Sequence, residues 1–467
     1  MKKQVKRIMI AGTGSGSGKT TLVCGILQCF LRRGIVPSAF KCGPDYIDPM
    51  FHREALGVSA GNLDGFFCDD NTLRYLLAEN TKEESIAVIE GVMGYFDGIG
   101  MTERASSFAV AAATETPVVL VIGCRGMAAS VKAVLRGYVG SEPEGRRRIR
   151  GVIFNMLPES LYEGAAACAR ELGLIPLGFV PQRSDIVLES RHLGLVMPGE
   201  TEEIDRRLGL MADMLEETVD IDGILSIAEG APWITSENIW EGVEKLPQAL
   251  RVGVAKDEAF CFLYRDNLDF LLRAGCELVY FSPLRDKELP DGIGLLLLCG
   301  GYPELYAAGL SKNAAMRGAV RAWIAKGRPC IAECGGFLYL HEELEDSVGI
   351  VHPMACALPG RGIKGKRLGN FGYIGLTAQR DNLLCKKGER LRAHEFHYWG
   401  CEDNGDAFRA EKASDGRSWS TAEADGALYA GFPHLYFYGD IRRYMKVLRK
   451  CETAYQALRD TCWSKIR

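Results

Sequence analysis

Residues 8–22 read IMIAGTGSGSGKTTL. A short apolar run enters a loop made only of glycine, serine and threonine, and GKTT then opens a helical pattern that continues to Arg33. Backbone N–H groups of such a loop, together with the first turn of the helix, form a cradle for an anion. Gly14, Gly16 and Gly18 would line it, with Thr21 in the first turn. Lys19 would reach the β- and γ-phosphates of a nucleotide and Thr20 would hold Mg²⁺, so ATP and Mg²⁺ are the expected cofactors. The common spacing puts glycine six residues before the lysine, but Thr13 stands there and the glycine is Gly12. The loop is therefore G-x5-G-K-T.

The same strand-then-helix alternation continues outward from this loop. IVPSAFKCG, SIAVIEG, TPVVLVIG and RIRGVIFN are four further apolar runs, each ending in glycine or a polar residue. Apolar strands alternating with helices predict an α/β fold with a parallel sheet covered on both faces. Ligands of such sheets bind beyond the carboxyl ends of the strands. The carboxylates there are Glu90, closing SIAVIE, and Asp45 and Asp48 in KCGPDYIDP; Asp97 in GYFDG is a further one. VVLVIG ends in Gly123 rather than an acid, so metal ligation is expected from Asp48 and Glu90 with Thr20. Asp45, Tyr46 and Asp97 are expected to position substrate, and Asn155, at the end of GVIFN, to read an adenine edge.

At 467 residues the chain is too long for one ordinary core. We expect domains at 1–225 and 248–467, joined by a linker at 226–247, where the strand–helix pattern dissolves. Charged residues are 25% of the chain and the net charge is −4, which argues against a nucleic-acid partner held by phosphate contacts. The first apolar run is too short for a signal peptide, and no stretch approaches a membrane span. Sixteen scattered cysteines with no CxxC pair read as reduced thiols, and a cytoplasmic location is expected.

A second α/β series starts at RVGVAKD and runs through CELVYFSP and GIGLLLLCGG to GRPCIAECGGFLYLHEE at residues 327–343. Cys334 stands at a glycine corner between a strand and a helix, the position of a nucleophile elbow. The helix N–H groups are expected to lower its pKa. Gly300 and Gly301, in LLLLCGGYPELY, form a second glycine turn that would complete an oxyanion hole. A thiol nucleophile needs a base. Among seven histidines, His434 in GFPHLYFYGD follows a strand late in the same domain and suits that part. Cys330 falls inside the strand and reads as core.

Taken together, GTGSGSGKTTL, KCGPDYIDPMFH, IEGVMGYFDG, RHLGL, CGGYPELYA, AECGGFLYL, RAHEFHY and GFPHLYFYGD resemble the cobyrinic acid a,c-diamide synthases. The resemblance runs from the first strand to about Asp440. It implies a P-loop synthetase domain that binds ATP and a corrinoid, followed by a class I-like glutamine amidotransferase domain. Cys334 would be the nucleophile and His434 its base, with cobyrinic acid and L-glutamine as substrates and ammonia passing between the domains. Many related amidotransferases carry Glu two residues after this histidine; Tyr436 is here, so a dyad is expected with no third member assigned. Arg183, Arg191 and His192 are candidates for macrocycle carboxylates. Two alternatives stay open: the same reaction on hydrogenobyrinic acid or nickel sirohydrochlorin, and a partitioning-type P-loop ATPase switch. The switch usually has a second lysine early in the loop, where this chain has Gly14, and lacks a thiol domain.

Overall fold

Seven strands form a wholly parallel sheet: β1 (Lys6–Gly12), β2 (Pro37–Cys42), β3 (Ser59–Leu63), β4 (Ile86–Glu90), β5 (Val118–Gly123), β6 (Ile149–Asn155) and β7 (Ile175–Val180). Their order across the sheet is β3-β2-β4-β1-β5-β6-β7. β4 is buried along its whole length and β5 along all but its last residue, which is why IAVIE and VVLVIG read as continuous apolar runs. The chain leaves β1 toward β2 and β3, returns to lay β4 beside β1, and only then places β5 on its other side. β1 therefore ends at a topological switch point, and the Gly/Ser loop follows directly. The computed structural model describes residues 1–183, 201–365 and 368–464.

Helix α1 (Lys19–Arg32) leaves the loop and buries Leu22, Val23, Ile26, Leu27 and Phe30 at helical spacing. Its Gly25 receives the helix Thr201–Thr218: a Cβ there would lie 2.5 Å from Leu215 Cδ1. Helix α2 (Ile47–Leu56) follows β2 and carries Asp48 in its first turn.

The chain divides into two units, Met1–Ile239 and Trp240–Arg467. The stretch expected as a linker begins inside a helix, Ile221–Glu229, whose Ile221, Ile224, Ile227 and Ala228 are buried. Ile234–Thr235 then pairs antiparallel with Lys2–Lys3. Regular structure thus persists where composition alone reads as loop.

The second unit is built on β8 (Leu250–Ala255), β9 (Cys276–Phe281), β10 (Leu295–Leu298), β11 (Cys330–Glu333), β12 (Glu423–Ala424) and β13 (Leu428–Gly431), in the order β9-β8-β10-β11-β13-β12. All neighbours are parallel except β12 and β13. Residues 343–421 add two four-stranded sheets. One contains Phe371–Ala378, where Ile374, Leu376 and Ala378 are buried at the period of two that a half-covered strand needs. A last helix, Ile441–Ser464, buries Tyr444, Val447, Leu448 and Cys451 on one face. Among the described residues no helix is long and apolar enough to cross a membrane.

Candidate active sites

The loop after β1 is held by close contacts that only glycine permits. A Cβ on Gly12 would lie 2.1 Å from Ser17 Oγ, which accounts for glycine at this place and not at Thr13. Gly16 and Gly18 have φ of 75° and 88°. A Cβ on Gly18 would meet Asn155 Nδ2 at 2.0 Å. That same amide donates to the Ser17 carbonyl at 2.8 Å, so Asn155, at the end of β6, braces the loop from the next strand but one. Lys19 folds over the loop and donates to the carbonyls of Gly14 (2.9 Å) and Met93 (2.6 Å). Burial, then the charge of Lys41, lowers Lys19 to about 8 against the pull of Glu90, Asp97 and Asp48.

Beside the lysine lies a buried charge cluster. Glu90 is fully buried, and its Oε1 accepts from the Thr20 hydroxyl and from Lys41 Nζ, both at 2.6 Å. Lys41 also donates to Asp48. Burial alone would push Lys41 down, but Glu90, Asp48 and Asp45 outweigh it and its pKa rises well above the ordinary value. Burial also raises Asp48, yet Lys41 more than reverses this and holds it low. Burial and then Asp48 raise Asp45 to about 6 and Glu90 to about 7. Glu90 Oε2 and His52 Nε2 stand 3.9 Å apart, both buried and neither hydrogen-bonded.

The other residues named from sequence have local partners. Asp45 Oδ1 accepts from the Ile47 amide at 2.7 Å and fixes the entry to α2; Tyr46 is buried beside it. Asp97 Oδ2 accepts from the Gly94 amide at 2.8 Å and closes the turn after β4. Arg183 is exposed, and Arg191 and His192 lie outside the described residues. Lys41 was not among the expected site residues. Its signal was present: a lysine inside PSAFKC, a strand buried at every position.

In the second unit Cys334 follows β11 with φ 48° and ψ −101°, a strained conformation for a side chain with a Cβ. Gly336 is required because a Cβ there would lie 2.2 Å from the Leu298 carbonyl. A Cβ on Gly335 would sit 3.1 Å from the Gly301 amide nitrogen, so the two glycine turns abut. β11 and β13 pair with Glu333 opposite Gly431, and the Cys334 amide donates to the Gly431 carbonyl at 2.8 Å. His434, three residues past β13, is thereby carried to the same end of the sheet as Cys334. Its ring lies over Gly300, where a Cβ would come within 2.8 Å of Cε1. The Tyr436 ring packs edge-on against Tyr264 at 5.2 Å. Cys330 is fully buried in β11.

One expectation fails here. The Cys334 thiol is raised, not lowered: burial dominates, Glu304, Glu333 and Glu395 add to it, and the Gly335 amide opposes only in part. The helix that follows has six residues, too few to offset three nearby acids. The thiol therefore rests protonated, and a nucleophilic role for it would need a base.

Residues 8–196 match the CobQ/CobB/MinD/ParA nucleotide binding domain, and residues 251–440 match the CobB/CobQ-like glutamine amidotransferase domain. The cobyrinate a,c-diamide synthase of Salmonella typhimurium is 38% identical over 441 residues, 92% of this chain and 94% of that protein. The synthase of Listeria innocua is 37% identical over 448 residues, 93% and 97% of the two chains. The chain belongs to the cobyrinate a,c-diamide synthase family. It is a glutamine-dependent amidating ligase in which a P-loop nucleotide-binding domain precedes an amidotransferase domain. The partitioning-type switch is set aside, because these synthases match through the thiol domain as well.

Proposed function

We propose that this enzyme amidates the a and c carboxylates of cobyrinic acid, using ATP to activate each carboxylate and glutamine as the source of ammonia. The observation that carries this reading is the buried cluster of Lys41, Asp48 and Glu90, with Thr20 hydrogen-bonded to it, beside a phosphate loop in a chain that also bears a thiol elbow. A carboxylate and ammonia do not form an amide unaided, because the leaving group is poor. Transfer of the γ-phosphoryl group to the carboxylate breaks the terminal P–O bond of ATP and gives an acyl phosphate. Ammonia then displaces phosphate. Lys19 and the loop amides would hold the phosphates, and Asp45, Tyr46 and Asp97 would shape the acceptor side.

Thr20, Asp48 and Glu90 are hard oxygen donors of the kind Mg²⁺ takes, and Glu90 Oε2 is a buried oxygen without a hydrogen bond. Among the described residues no group of three His, Cys, Asp or Glu forms a complete cage. That suits an ion that completes its shell with phosphate oxygens and water. Mg²⁺ bound there would neutralise phosphate charge, and Lys41 balances the carboxylates on their other side.

In the amidotransferase domain, Cys334 would give its proton to His434 and attack the glutamine side-chain carbonyl, with the Gly301 turn receiving the oxyanion. Ammonia leaves, and water clears the glutamyl thioester. The cytoplasm suits this chemistry, since ATP and glutamine are both available there. Mass spectrometry of quenched reactions with cobyrinic acid, ATP, Mg²⁺ and glutamine tests the reading. A monoamide should appear first and a diamide later, each step exchanging OH for NH₂. If hydrogenobyrinic acid or nickel sirohydrochlorin is doubly amidated while cobyrinic acid stays unmodified, the acceptor is wrong and the activation chemistry stands.

A further inference from the structure

Glu333 is the last residue of β11 and the residue before Cys334. The other three residues of that strand, Cys330, Ile331 and Ala332, are apolar and buried, and Glu333 itself is only 5% exposed. A carboxylate held out of water costs several kcal/mol unless it has partners. Its partners lie on the turn that carries the histidine. Glu333 Oε1 accepts from the Leu435 amide at 3.3 Å, and Oε2 stands 3.4 Å from His434 Nδ1. The turn is itself clamped: Asn267 donates to the Leu435 carbonyl and accepts from the Phe437 amide, each at 2.8 Å. Tyr436, at the place where related amidotransferases carry an acid, faces Tyr264 instead. The carboxylate reaches the imidazole from the strand on the nucleophile's side.

We propose that Glu333 is the positioning residue for His434. Its carboxylate would take a hydrogen bond from Nδ1–H, which leaves Nε2 unprotonated and able to take the Cys334 proton. As the Sγ–H bond breaks, an N–H bond forms at Nε2, and Glu333 stabilises the imidazolium. That proton then passes to the amide nitrogen of glutamine, which leaves as ammonia. Cys334, Cys299, Tyr429 and Tyr444 face Glu333 from the elbow, the residue after β10, β13 and the C-terminal helix, and its charge disfavours ionisation of each. Glu395 adds to this at Cys334 and Tyr429. His394 is joined to His434 by paired backbone hydrogen bonds of 2.8 and 3.2 Å. Burial, then His434, drops His394 to about 3, so it stays neutral and does not compete for the proton.

This rests on Cys334 being the glutamine nucleophile, and Cys334→Ser in the full chain tests that separately. Glutamine hydrolysis that survives Cys334→Ser overturns the nucleophile itself. For Glu333→Gln, kcat for glutamine hydrolysis should fall on the order of 10²- to 10⁴-fold, the range for a disabled or misoriented base. KM should change little, and the acidic limb of the pH profile should move to lower pH. Synthesis from ammonium chloride, which bypasses the thiol, reports whether the variant is folded. Loss in Cys334→Ser together with a kcat within about threefold of wild type in Glu333→Gln, or an unmoved acidic limb, overturns the proposal alone. Should Glu333→Gln also lose ammonium-supported synthesis, Glu333→Asp decides. It keeps the charge but draws it back by one methylene, so a reduced kcat with the wild-type acidic limb supports the proposal and a wild-type kcat overturns it.

Discussion

Lys41→Met should destabilise the first unit by several kcal/mol, and more at alkaline pH. The Lys41 and Asp48 side chains are each 7% exposed and Glu90 is fully buried, so methionine would leave two carboxylates in the interior without their cation. Removing one partner of a buried ion pair costs about 3–5 kcal/mol. For a unit the size of Met1–Ile239, each kcal/mol lowers the melting temperature by about 2–4 °C, so a fall on the order of 6–20 °C is expected. The sign of the pH dependence follows from the two acids. Lys41 holds Asp48 below its ordinary value, a stabilisation present above the unfolded pKa of about 3.9, and this is lost in the variant at every pH where the enzyme works. Glu90 is raised to about 7, so its folded form binds a proton more tightly than the unfolded form, and stability falls as pH rises toward that value. Without Lys41 it would rise further. Below pH 7 Glu90 is protonated in both folded chains and contributes no difference; above it the deficit widens by about 1.4 kcal/mol per pH unit until the variant's own pKa is reached. Calorimetric melts of the full chain at about pH 6 and pH 8.5 read this, with added ATP marking the nucleotide-binding unit's transition by raising it. A fall below about 3 °C, or a deficit that narrows toward alkaline pH, would show that Lys41 does not compensate these carboxylates.

Gly18→Ala forces a Cβ to φ 88° and against Asn155, so ATP affinity measured by calorimetry should drop at least about tenfold; an unchanged Kd would mean the loop relaxes without cost. Lys19→Ala should abolish ATP-dependent amidation in a folded protein, and near-normal turnover would remove Lys19 from the phosphate site. Cys334→Ser should lose glutamine-dependent synthesis and keep ammonium-dependent synthesis, with His434→Ala behaving alike; loss of both would place the thiol in the fold or in the activation chemistry. Glu90→Gln should weaken turnover across a magnesium titration, and a wild-type titration would assign the metal elsewhere.

The α/β fold was legible because parallel strands buried on both faces leave an uninterrupted apolar run that needs no periodicity to be seen, as in VVLVIG. The strands Ile374 to Ala378 and its neighbours were harder. They are covered on one face only, and a period of two within a polar stretch is easily lost among exposed residues. The 226–247 stretch misled for a different reason. Its helix is short and its strand has two residues, so composition averaged over the segment reads as loop although Ile227, Ala228 and Ile234 are buried.

The site divides along the same line. Lys19, Thr20, Cys334 and the glycines around them stand out in the sequence because a backbone shape leaves a local pattern of glycine beside a reactive side chain. Lys41 and Glu333 left no such pattern. Each is a charge at or near the end of an apolar strand, and its partner comes from another element: Glu90 lies one strand over and His434 beyond the neighbouring strand. Those pairings follow from strand order, which local sequence does not encode. What the sequence does carry is the anomaly itself, because burying an unpaired charge is too costly to be incidental. A lone charge within a buried strand therefore predicts a partner on a neighbouring strand before the partner can be named. Two such anomalies among the described residues, Lys41 in PSAFKC and Glu333 in CIAE, lie beside the residues proposed to do the chemistry.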